Sequence, residues 1–201
     1  MPKAWVKKGR EYLPPLFSRV DAHLQRGADI YFLRSFRSKT IYKSRDVITY
    51  SRHCLLARMC SLIAVESDHD NSFFSLWRRH LSEPDTPCLP LLELLADLHV
   101  ANGTWPGSGR CEQCGTRGQA QMISGYSVLL CQKCSSPQDL RLGEDARRWL
   151  EFRYMTREAV GLESPSAQLL TRLLARRLPD ILLQDAITRR LMRDLDPEFV
   201  V

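Results

Sequence analysis

Hydrophobic and polar residues change their spacing along the chain, and this change divides the sequence into two parts. Hydrophobic and polar residues alternate approximately over Leu16–Leu24 and again over Ile30–Phe36, and such alternation is typical of a half-buried β-strand. Residues 25–29 contain Gly27 and indicate the turn between these strands. The N-terminal part therefore predicts a β-hairpin in a region of strands and loops. Two or three strands cannot bury an apolar face alone, so we expect the hairpin to join a larger sheet or to dock on helices.

From Ser44 onward, hydrophobic residues recur mainly at intervals of three and four, which is the period of an amphipathic helix. We predict that the first helix covers residues 44–66 and that Ser44 is its N-cap. The other predicted helices cover residues 73–81, 91–100, 143–160, 164–178 and, after a break at Pro179-Asp180, 181–192. Leu91–Val100 is apolar nearly all round, which predicts a buried central helix. His99, near its end, is expected to be a packed or capping histidine.

Four cysteines interrupt the helical part as two Cys-x-x-Cys pairs, Cys111 with Cys114 and Cys131 with Cys134. Each pair can form a tight knuckle that offers two thiolates to one tetrahedral metal ion. The turn after the first pair needs a positive φ, which Gly115 tolerates. Residues 119–123 and 126–130 predict two short strands joined by a turn at Ser124-Gly125. Residues 111–134 therefore predict a zinc ribbon, in which knuckles at the two ends of a hairpin close on a single ion.

The same four cysteines could instead form disulfides, bind iron or be unrelated free thiols. Residues 1–10 carry four Lys and Arg and no apolar segment follows them. We therefore expect no signal peptide and a reducing cytosol, which disfavours disulfides. Iron stays open, because a tetrahedral set of four sulfurs suits both metals. Four sulfurs leave no coordination position for water, so we expect a structural Zn²⁺ rather than a catalytic one. Cys54, Cys60 and Cys88 are expected to be small buried hydrophobic residues.

Length and charge narrow the choice of partners. The chain has 201 residues, of which 44% are hydrophobic, and it has no apolar run of eighteen residues. It can therefore bury a core and is not expected to span a membrane. The net charge of +6 is uneven, since residues 1–45 hold eleven Lys and Arg against three acidic residues. Clustered cations suit a polyanion such as nucleic acid, although a solvated basic surface without a ligand fits the same pattern.

Basic residues beside aromatic ones are the candidate nucleic-acid contacts. Single-stranded nucleic acid stacks its bases on aromatic rings while cations contact its phosphates. We expect Phe32 and Phe36 to be strand core and the neighbouring cations to make the contacts. The candidate contacts are Lys7, Lys8, Arg10, Arg34, Arg37 and Lys39.

Two further clusters are weaker candidates. Asp68, His69 and Asp70 could bind a metal ion, but three adjacent residues on a turn rarely converge, so we expect them to end one helix and cap the next. A second basic face, typical of a solvated surface, lies in the C-terminal part and consists of Arg172, Arg176, Arg177, Arg189, Arg190 and Arg193.

Together these stretches resemble the bacterial recombination-mediator family RecO. The matching stretches are Lys8-Gly9-Arg10, which looks like that family's Lys-Gly-Ala-Arg stretch, the hairpin Phe17–Leu33, the helix Ser44–Glu66, and Cys111-x-x-Cys114-Gly115 with Gly125 before Cys131-x-x-Cys134. In that family an OB-fold barrel precedes a helical domain that a zinc ribbon interrupts. Its members have several barrel strands before the Lys-Gly stretch, so part of the barrel is expected to be missing here.

The resemblance implies an α+β fold with two parts. Residues 41–201 would form a mostly helical domain with an inserted four-cysteine zinc ribbon at 111–134. Residues 1–40 would form a partial OB-fold-like β segment before it. We expect the protein to be cytoplasmic and nucleoid-associated, and to be a monomer when it is alone.

The function that the resemblance implies is a non-enzymatic role in DNA repair and homologous recombination. Proteins similar to this one bind single- and double-stranded DNA, anneal complementary strands and act with RecR to load RecA. They also contact the acidic C-terminal tail of the single-strand-binding protein. The helices over 91–98 and 169–178 would offer that tail an apolar groove, with Arg172 and Arg176 at its rim.

Two other classes of function stay open. A metal-dependent nucleic-acid-processing enzyme would use Asp68, His69 and Asp70, although no catalytic triad, phosphate loop or carboxylate pair stands out. A transcription-associated zinc-ribbon protein would use Arg117 and Lys133 to contact nucleic acid or polymerase.

Overall fold

The structure of the 201-residue chain is a computed structural model. It describes residues 17–27, 31–42, 44, 46–63, 72–82, 89–106, 109–117, 120–125, 128–152 and 161–198. The chain divides into two compact units, residues 1–45 and residues 46–201. In these described ranges, seven helices and two small antiparallel sheets form a mixed α+β structure. The predicted α+β class is therefore confirmed.

The first unit contains a two-stranded antiparallel hairpin. Its strands are β1 (Ser18–Arg26) and β2 (Tyr31–Ile41), which pair along their lengths with two register shifts. The predicted hairpin is confirmed, but Gln25 and Arg26 do not belong to the turn, because they pair with Phe32 and Tyr31. The six β1 side chains from residue 21 to residue 26 are all exposed. Most of β1 therefore contributes surface rather than core.

All seven helices of the described chain lie in the second unit. α1 covers Val47–Ile63, α2 Ser72–Ser82, α3 Pro90–Ala101, α4 Glu144–Phe152, α5 Ser164–Arg176, α6 Asp180–Gln184 and α7 Ala186–Leu195. Each predicted helix is present, and residues 153–160 of the predicted fourth one lie outside the described residues. None of the helices described here is long and apolar enough to cross a membrane.

The first helix is capped by Asp46, so the predicted cap at Ser44 is wrong. Asp46 Oδ1 accepts a hydrogen bond from Thr49 N at 2.7 Å, and its Oδ2 accepts one from the Thr49 hydroxyl at 3.1 Å. The Asp46 carbonyl accepts from Tyr50 N at 3.1 Å, so the helical bonding pattern starts at this residue. The carboxylate thereby satisfies an amide that has no partner within the helix.

A second aspartate divides the last predicted helix into α6 and α7. Asp185 has an extended backbone, with φ −70° and ψ 115°, and its carboxylate accepts from Thr188 N and from the Thr188 hydroxyl, each at 2.7 Å. The same carboxylate accepts from Arg58 of α1 at 2.6 Å and 3.1 Å. These bonds, the one from Arg58 first, hold the pKa of Asp185 well below its usual range. One side chain thus caps α7 and fastens it to α1.

α3 is the central helix of the core, as its sequence predicts. The leucines at 91, 92, 94, 95 and 98 are at most 2% exposed. The neighbouring helices add fully or almost fully buried side chains, namely Leu55, Leu56 and Met59 of α1 and Leu170, Leu173 and Leu174 of α5. Burying such side chains is the main stabilising contribution to the fold, at roughly 1.5–3 kcal/mol for each one.

A three-stranded antiparallel sheet lies between α3 and α4 in the sequence. Its strands β3 (Ala120–Ser124), β4 (Val128–Cys131) and β5 (Leu140–Arg141) have the order β4-β3-β5. The first two match the predicted strands, whereas β5 is too short to give an alternating pattern. Ile123 and Leu129 are 1% exposed and belong to the main core. The sheet is therefore packed against the helical body rather than separate from it.

Polar side chains are buried between α1, α2 and α3. The carbonyl oxygen of His80 lies 3.2 Å from Arg52 Nη2 and 3.1 Å from His53 Nε2. Asp97 Oδ2 lies 2.6 Å from Arg79 Nη2 and 3.1 Å from His80 Nε2. Arg52 is 0% exposed, and both histidines are at most 3% exposed. We call these five residues the polar layer, and the hydrophobic pattern of the sequence does not predict it.

His99 is a packed histidine, as predicted. Its Nε2 lies 2.8 Å from the carbonyl oxygen of Leu174, and its Nδ1 lies 2.8 Å from the hydroxyl of Thr104. A neutral ring that carries its proton on Nε2 satisfies both contacts, because it donates to the carbonyl and accepts from the hydroxyl. Burial lowers the pKa of His99, and the positive charge of Arg177 lowers it further, while the bond to Leu174 opposes them.

We expect acid to destabilise the fold in part through His99. Its folded-state pKa lies below the unfolded value of about 6.5, so the unfolded chain binds the proton more readily. The free energy of unfolding should therefore fall as the pH drops below about 6.5. Urea unfolding of wild type and His99→Gln between pH 7.5 and 5 measures this, and the variant should show the smaller fall. Equal falls in the free energy of unfolding of the two proteins would contradict the prediction. The other titrating groups are present in both proteins, so their effects cancel when the two falls are compared.

Candidate metal centre

The first cysteine pair forms a tight turn that backbone hydrogen bonds close. Gly115 N donates to the Cys111 carbonyl at 2.8 Å, and Cys111 N donates to the Thr116 carbonyl at 2.9 Å. Gly115 has φ +75°, a conformation that strains any residue with a side chain. The predicted requirement for glycine after Cys114 is therefore confirmed.

The second pair forms a similar turn at the end of β4. Cys131 is the last residue of that strand, and its carbonyl accepts from the backbone N of both Cys134 and Ser135 at 3.1 Å. Pairing of β3 with β4 brings this turn beside the first one, because Ala120 lies opposite Cys131. Ala120 N in turn donates to the Gly109 carbonyl at 3.1 Å, close to the start of the first pair.

The four cysteines converge. Their sulfur atoms all lie within 4.8 Å of one another, and Cys114 Sγ lies 3.7 Å from Cys131 Sγ. Cys111 and Cys131 are buried, Cys134 is half-buried and Cys114 is exposed. This arrangement could hold a metal ion, and a set of four thiolates suits a soft or borderline ion in tetrahedral geometry.

Hydrogen bonds give the sulfurs different acidities. Backbone N–H groups, that of Cys114 first, lower the pKa of Cys111 to about 6. The hydroxyl of Thr116, 3.2 Å from Cys114 Sγ, is the first cause of a lowered pKa at Cys114. The pKa of Cys134 is instead raised to about 12, and its hydrogen bond with Cys131 is the largest cause. A metal ion binds thiolates, so its binding releases the protons that such sulfurs hold.

One residue of the first turn connects the cysteine cluster to other elements. Glu112 N donates to the Leu129 carbonyl at 2.9 Å, and Glu112 Oε2 accepts from Leu129 N at 3.4 Å. Glu112 Oε1 accepts from Arg177 Nη2, at the end of α5, at 2.5 Å. The sequence predicts Arg177 to be part of a solvated basic face, but its side chain is only 16% exposed. Nothing in the spacing of residues 65 positions apart reveals this ion pair.

The candidate nucleic-acid contacts fall partly on described residues. Lys7, Lys8 and Arg10 lie outside them. Arg34, Arg37 and Lys39 are exposed on β2. Arg34 Nε donates to Gln25 Oε1, and Lys39 Nζ lies 2.9 Å from Asp21 Oδ2.

The remaining candidates are the Asp-His-Asp cluster and two arginines of α5. Asp68, His69 and Asp70 lie outside the described residues. Arg172 is half-buried and Arg176 exposed on α5. A cavity of about 310 Å³ opens between the starts of α3 and α5, and Leu91 and Thr171 are among its lining residues, whereas Arg172 and Arg176 are not. Partner binding by these two arginines stays a prediction.

Comparisons with known proteins add no relative. A scan finds no protein-family model that matches the chain, and a search of curated proteins finds no significant match. The cysteine cluster and the basic hairpin are therefore the observations on which a function is proposed.

Proposed function

We propose that this chain is a non-enzymatic DNA repair and recombination mediator of the RecO type. It would bind single- and double-stranded DNA, promote annealing and assist loading of RecA together with RecR. The order of elements supports the proposal, since a basic β segment precedes a helical unit with a four-cysteine cluster inserted between its helices. The β segment would be part of an OB fold, and the protein would act in the cytoplasm at the nucleoid as a monomer when alone.

The observation that carries DNA binding is the charge of the exposed hairpin. Its described residues include five exposed cations, Arg19, Arg26, Arg34, Arg37 and Lys39, against a single acidic residue, Asp21. The salt bridge from Lys39 offsets Asp21, so the remaining charge is positive along both strands. Cations in such a position release counterions when they contact phosphates, whatever the base sequence.

The cysteine cluster would be a zinc ribbon with a structural role. Four sulfurs fill a tetrahedral shell and leave no position for a water or substrate. The same set also suits iron, and the ion that copurifies with the protein decides between them. A structural ion would fold the two cysteine turns and fix the sheet that joins α3 to α4.

Partner binding would use the helical unit. The proposed partners are RecR and the acidic tail of the single-strand-binding protein, and the arginines Arg172 and Arg176 would meet that tail. Leu94, Leu98 and Leu173 are at most 2% exposed. The apolar groove predicted over 91–98 and 169–178 would therefore not lie along these buried faces.

The proposal predicts salt-dependent DNA binding through the hairpin. Arg34→Gln with Arg37→Gln should weaken binding of labelled single-stranded DNA about tenfold. It should also reduce the slope of log K against log salt by about 1.4, because each phosphate contact contributes roughly 0.7. Fluorescence anisotropy at several salt concentrations measures both quantities. A Lys7, Lys8, Arg10 to Ala variant should weaken binding in the same way.

A matched control separates this surface from charge in general. Arg189→Gln with Arg190→Gln makes the same charge change on exposed residues of α7. This variant should bind DNA almost as the wild type does. Equal losses in the two variants, or no binding by folded wild type at low salt, would contradict the hairpin as the DNA surface.

A transcription-associated zinc-ribbon protein is the second candidate. The observation in its favour is that Arg117 and Lys133 are exposed on the two cysteine turns. Under this alternative, Arg117→Gln with Lys133→Gln abolishes nucleic-acid or polymerase binding while the hairpin variant leaves it unchanged. The same assays therefore discriminate the two functions.

A further inference from the structure

The contact between Glu112 and Arg177 joins the cysteine cluster to the helical body. Glu112 follows Cys111 directly. Its backbone N and its carboxylate both form hydrogen bonds with the backbone of Leu129. Its position is therefore set by the same turn that places the Cys111 and Cys114 sulfurs. Any change in this turn moves the carboxylate that Arg177 contacts.

The other end of the contact is the last turn of α5. Arg177 is the C-cap residue of that helix, and its backbone N donates to the Leu174 carbonyl at 3.2 Å. The same carbonyl oxygen lies 2.8 Å from His99 Nε2 of α3. Arg177 therefore lies beside a junction between the two helices that form the centre of the core.

The environment of this ion pair differs from that of an ordinary surface pair. The Arg177 side chain is 16% exposed and the Glu112 side chain 34% exposed. Surface ion pairs contribute little, because water screens both charges and holding two long side chains costs entropy. Here the carboxylate is already held by its own turn, and the guanidinium is largely shielded from water.

We propose that the Glu112–Arg177 ion pair couples metal binding at the four cysteines to the end of α5. Metal binding fixes the first cysteine turn and thereby the Glu112 carboxylate. The fixed carboxylate holds Arg177 and with it the last turn of α5. This coupling rests on the proposed metal site, and it assigns to Arg177 a positioning role that is separate from metal ligation.

Hydrogen exchange of the full chain, with Zn²⁺ and with a chelator, tests the coupling. In the wild type, Zn²⁺ should slow exchange in both cysteine turns and, about tenfold, at the amides of residues 174–178. In Arg177→Gln, Zn²⁺ should still slow exchange in the cysteine turns, but the effect at 174–178 should fall to about twofold or less. Arg190→Gln makes the same charge change on an exposed residue of α7 and should behave as the wild type.

Zinc affinity gives an independent readout, because coupling between two events is reciprocal. Competition with a coloured chelator measures the affinity for Zn²⁺. The affinity should be lower in Arg177→Gln than in the wild type, by about the same factor by which the substitution reduces the zinc-dependent slowing of amide exchange at residues 174–178. Glu112→Gln should give the same loss, and the double variant should lose no more than either single one. The loss in Arg177→Lys should be smaller, since its charge remains while the planar fork is lost.

Two outcomes would overturn the inference, and they differ visibly. Equal zinc protection of residues 174–178 in wild type and Arg177→Gln would show that the pair transmits nothing. Failure of the wild type to bind Zn²⁺ would refute the proposed metal site itself, and this is seen before any variant is made.

Discussion

Replacing Cys111 with serine is expected to abolish tight metal binding and to unfold the cysteine segment. Cys111 Sγ lies within 4.8 Å of the other three sulfurs, and the residue is 0% exposed. A serine hydroxyl is a poor ligand for a borderline ion, and only three thiolates would remain. Even residues that merely orient metal ligands typically change affinity 10–100-fold, so loss of a ligand should weaken binding by at least about a hundredfold.

The expected loss of structure follows from the energy that a metal ion would supply at the proposed site. Binding of a structural Zn²⁺ contributes roughly 10–16 kcal/mol in small zinc domains, and there it is folding energy. The cluster around Cys111 has little apolar core of its own, because among the described residues only Leu130, Cys131, Met122 and Cys134 share it. Without the ion, β4 and both turns should lose protection while α3 and α5 stay folded.

Metal content by mass spectrometry and thermal unfolding of the purified protein measure this prediction. Cys60→Ser is the matched control, because Cys60 is buried in the helical core and is not one of the four clustered cysteines. That variant should bind one ion per chain with unchanged affinity. One tightly bound ion in Cys111→Ser would contradict a four-cysteine site.

Local patterns in the sequence predict the elements and the cluster well. The Cys-x-x-Cys spacings and Gly115 specify the two turns almost alone, because a turn depends on a few neighbouring residues. Helix periodicity finds α1 to α5, because most of these helices bury an apolar face, but it predicts α6 and α7 as a single helix. The position of a cap is harder to predict, because Ser44 and Asp46 are both suitable residues and only the chain path selects Asp46.

Contacts between distant residues are what the sequence does not show. The pairs Glu112–Arg177 and Arg58–Asp185 join residues more than sixty positions apart. Charged residues on a helix usually face water, so the sequence predicts a solvated side chain for Arg177. The sequence does not predict the polar layer for the same reason, because the hydrophobic pattern gives no indication that Arg52 and Asp97 are buried. A folded backbone is needed before such partners can be identified.

Replacing Asp97 with alanine should strongly destabilise the helical unit. Its carboxylate is 12% exposed and contacts both Arg79 and His80. Arg52, also in the polar layer, is 0% exposed. Removing one partner of a buried ion pair typically costs 3–5 kcal/mol, because the remaining charge stays buried without compensation. The Arg79 side chain is 30% exposed, so the lower end of this range applies. We therefore expect a loss of about 3 kcal/mol in the free energy of unfolding.

Urea unfolding, followed by helical circular dichroism, measures the loss at Asp97. Asp97→Asn keeps the size of the side chain and removes its charge. If this variant loses less stability than Asp97→Ala, the difference between the two losses comes from lost hydrogen bonds and packing. The exposed Asp194→Ala should change stability by less than about 0.5 kcal/mol. In a double-mutant cycle with Arg79→Ala, the two losses should not add, because each substitution breaks the same contact. Additive losses would mean that Asp97 and Arg79 act independently, and that the polar layer stabilises α2 against α3 by packing alone.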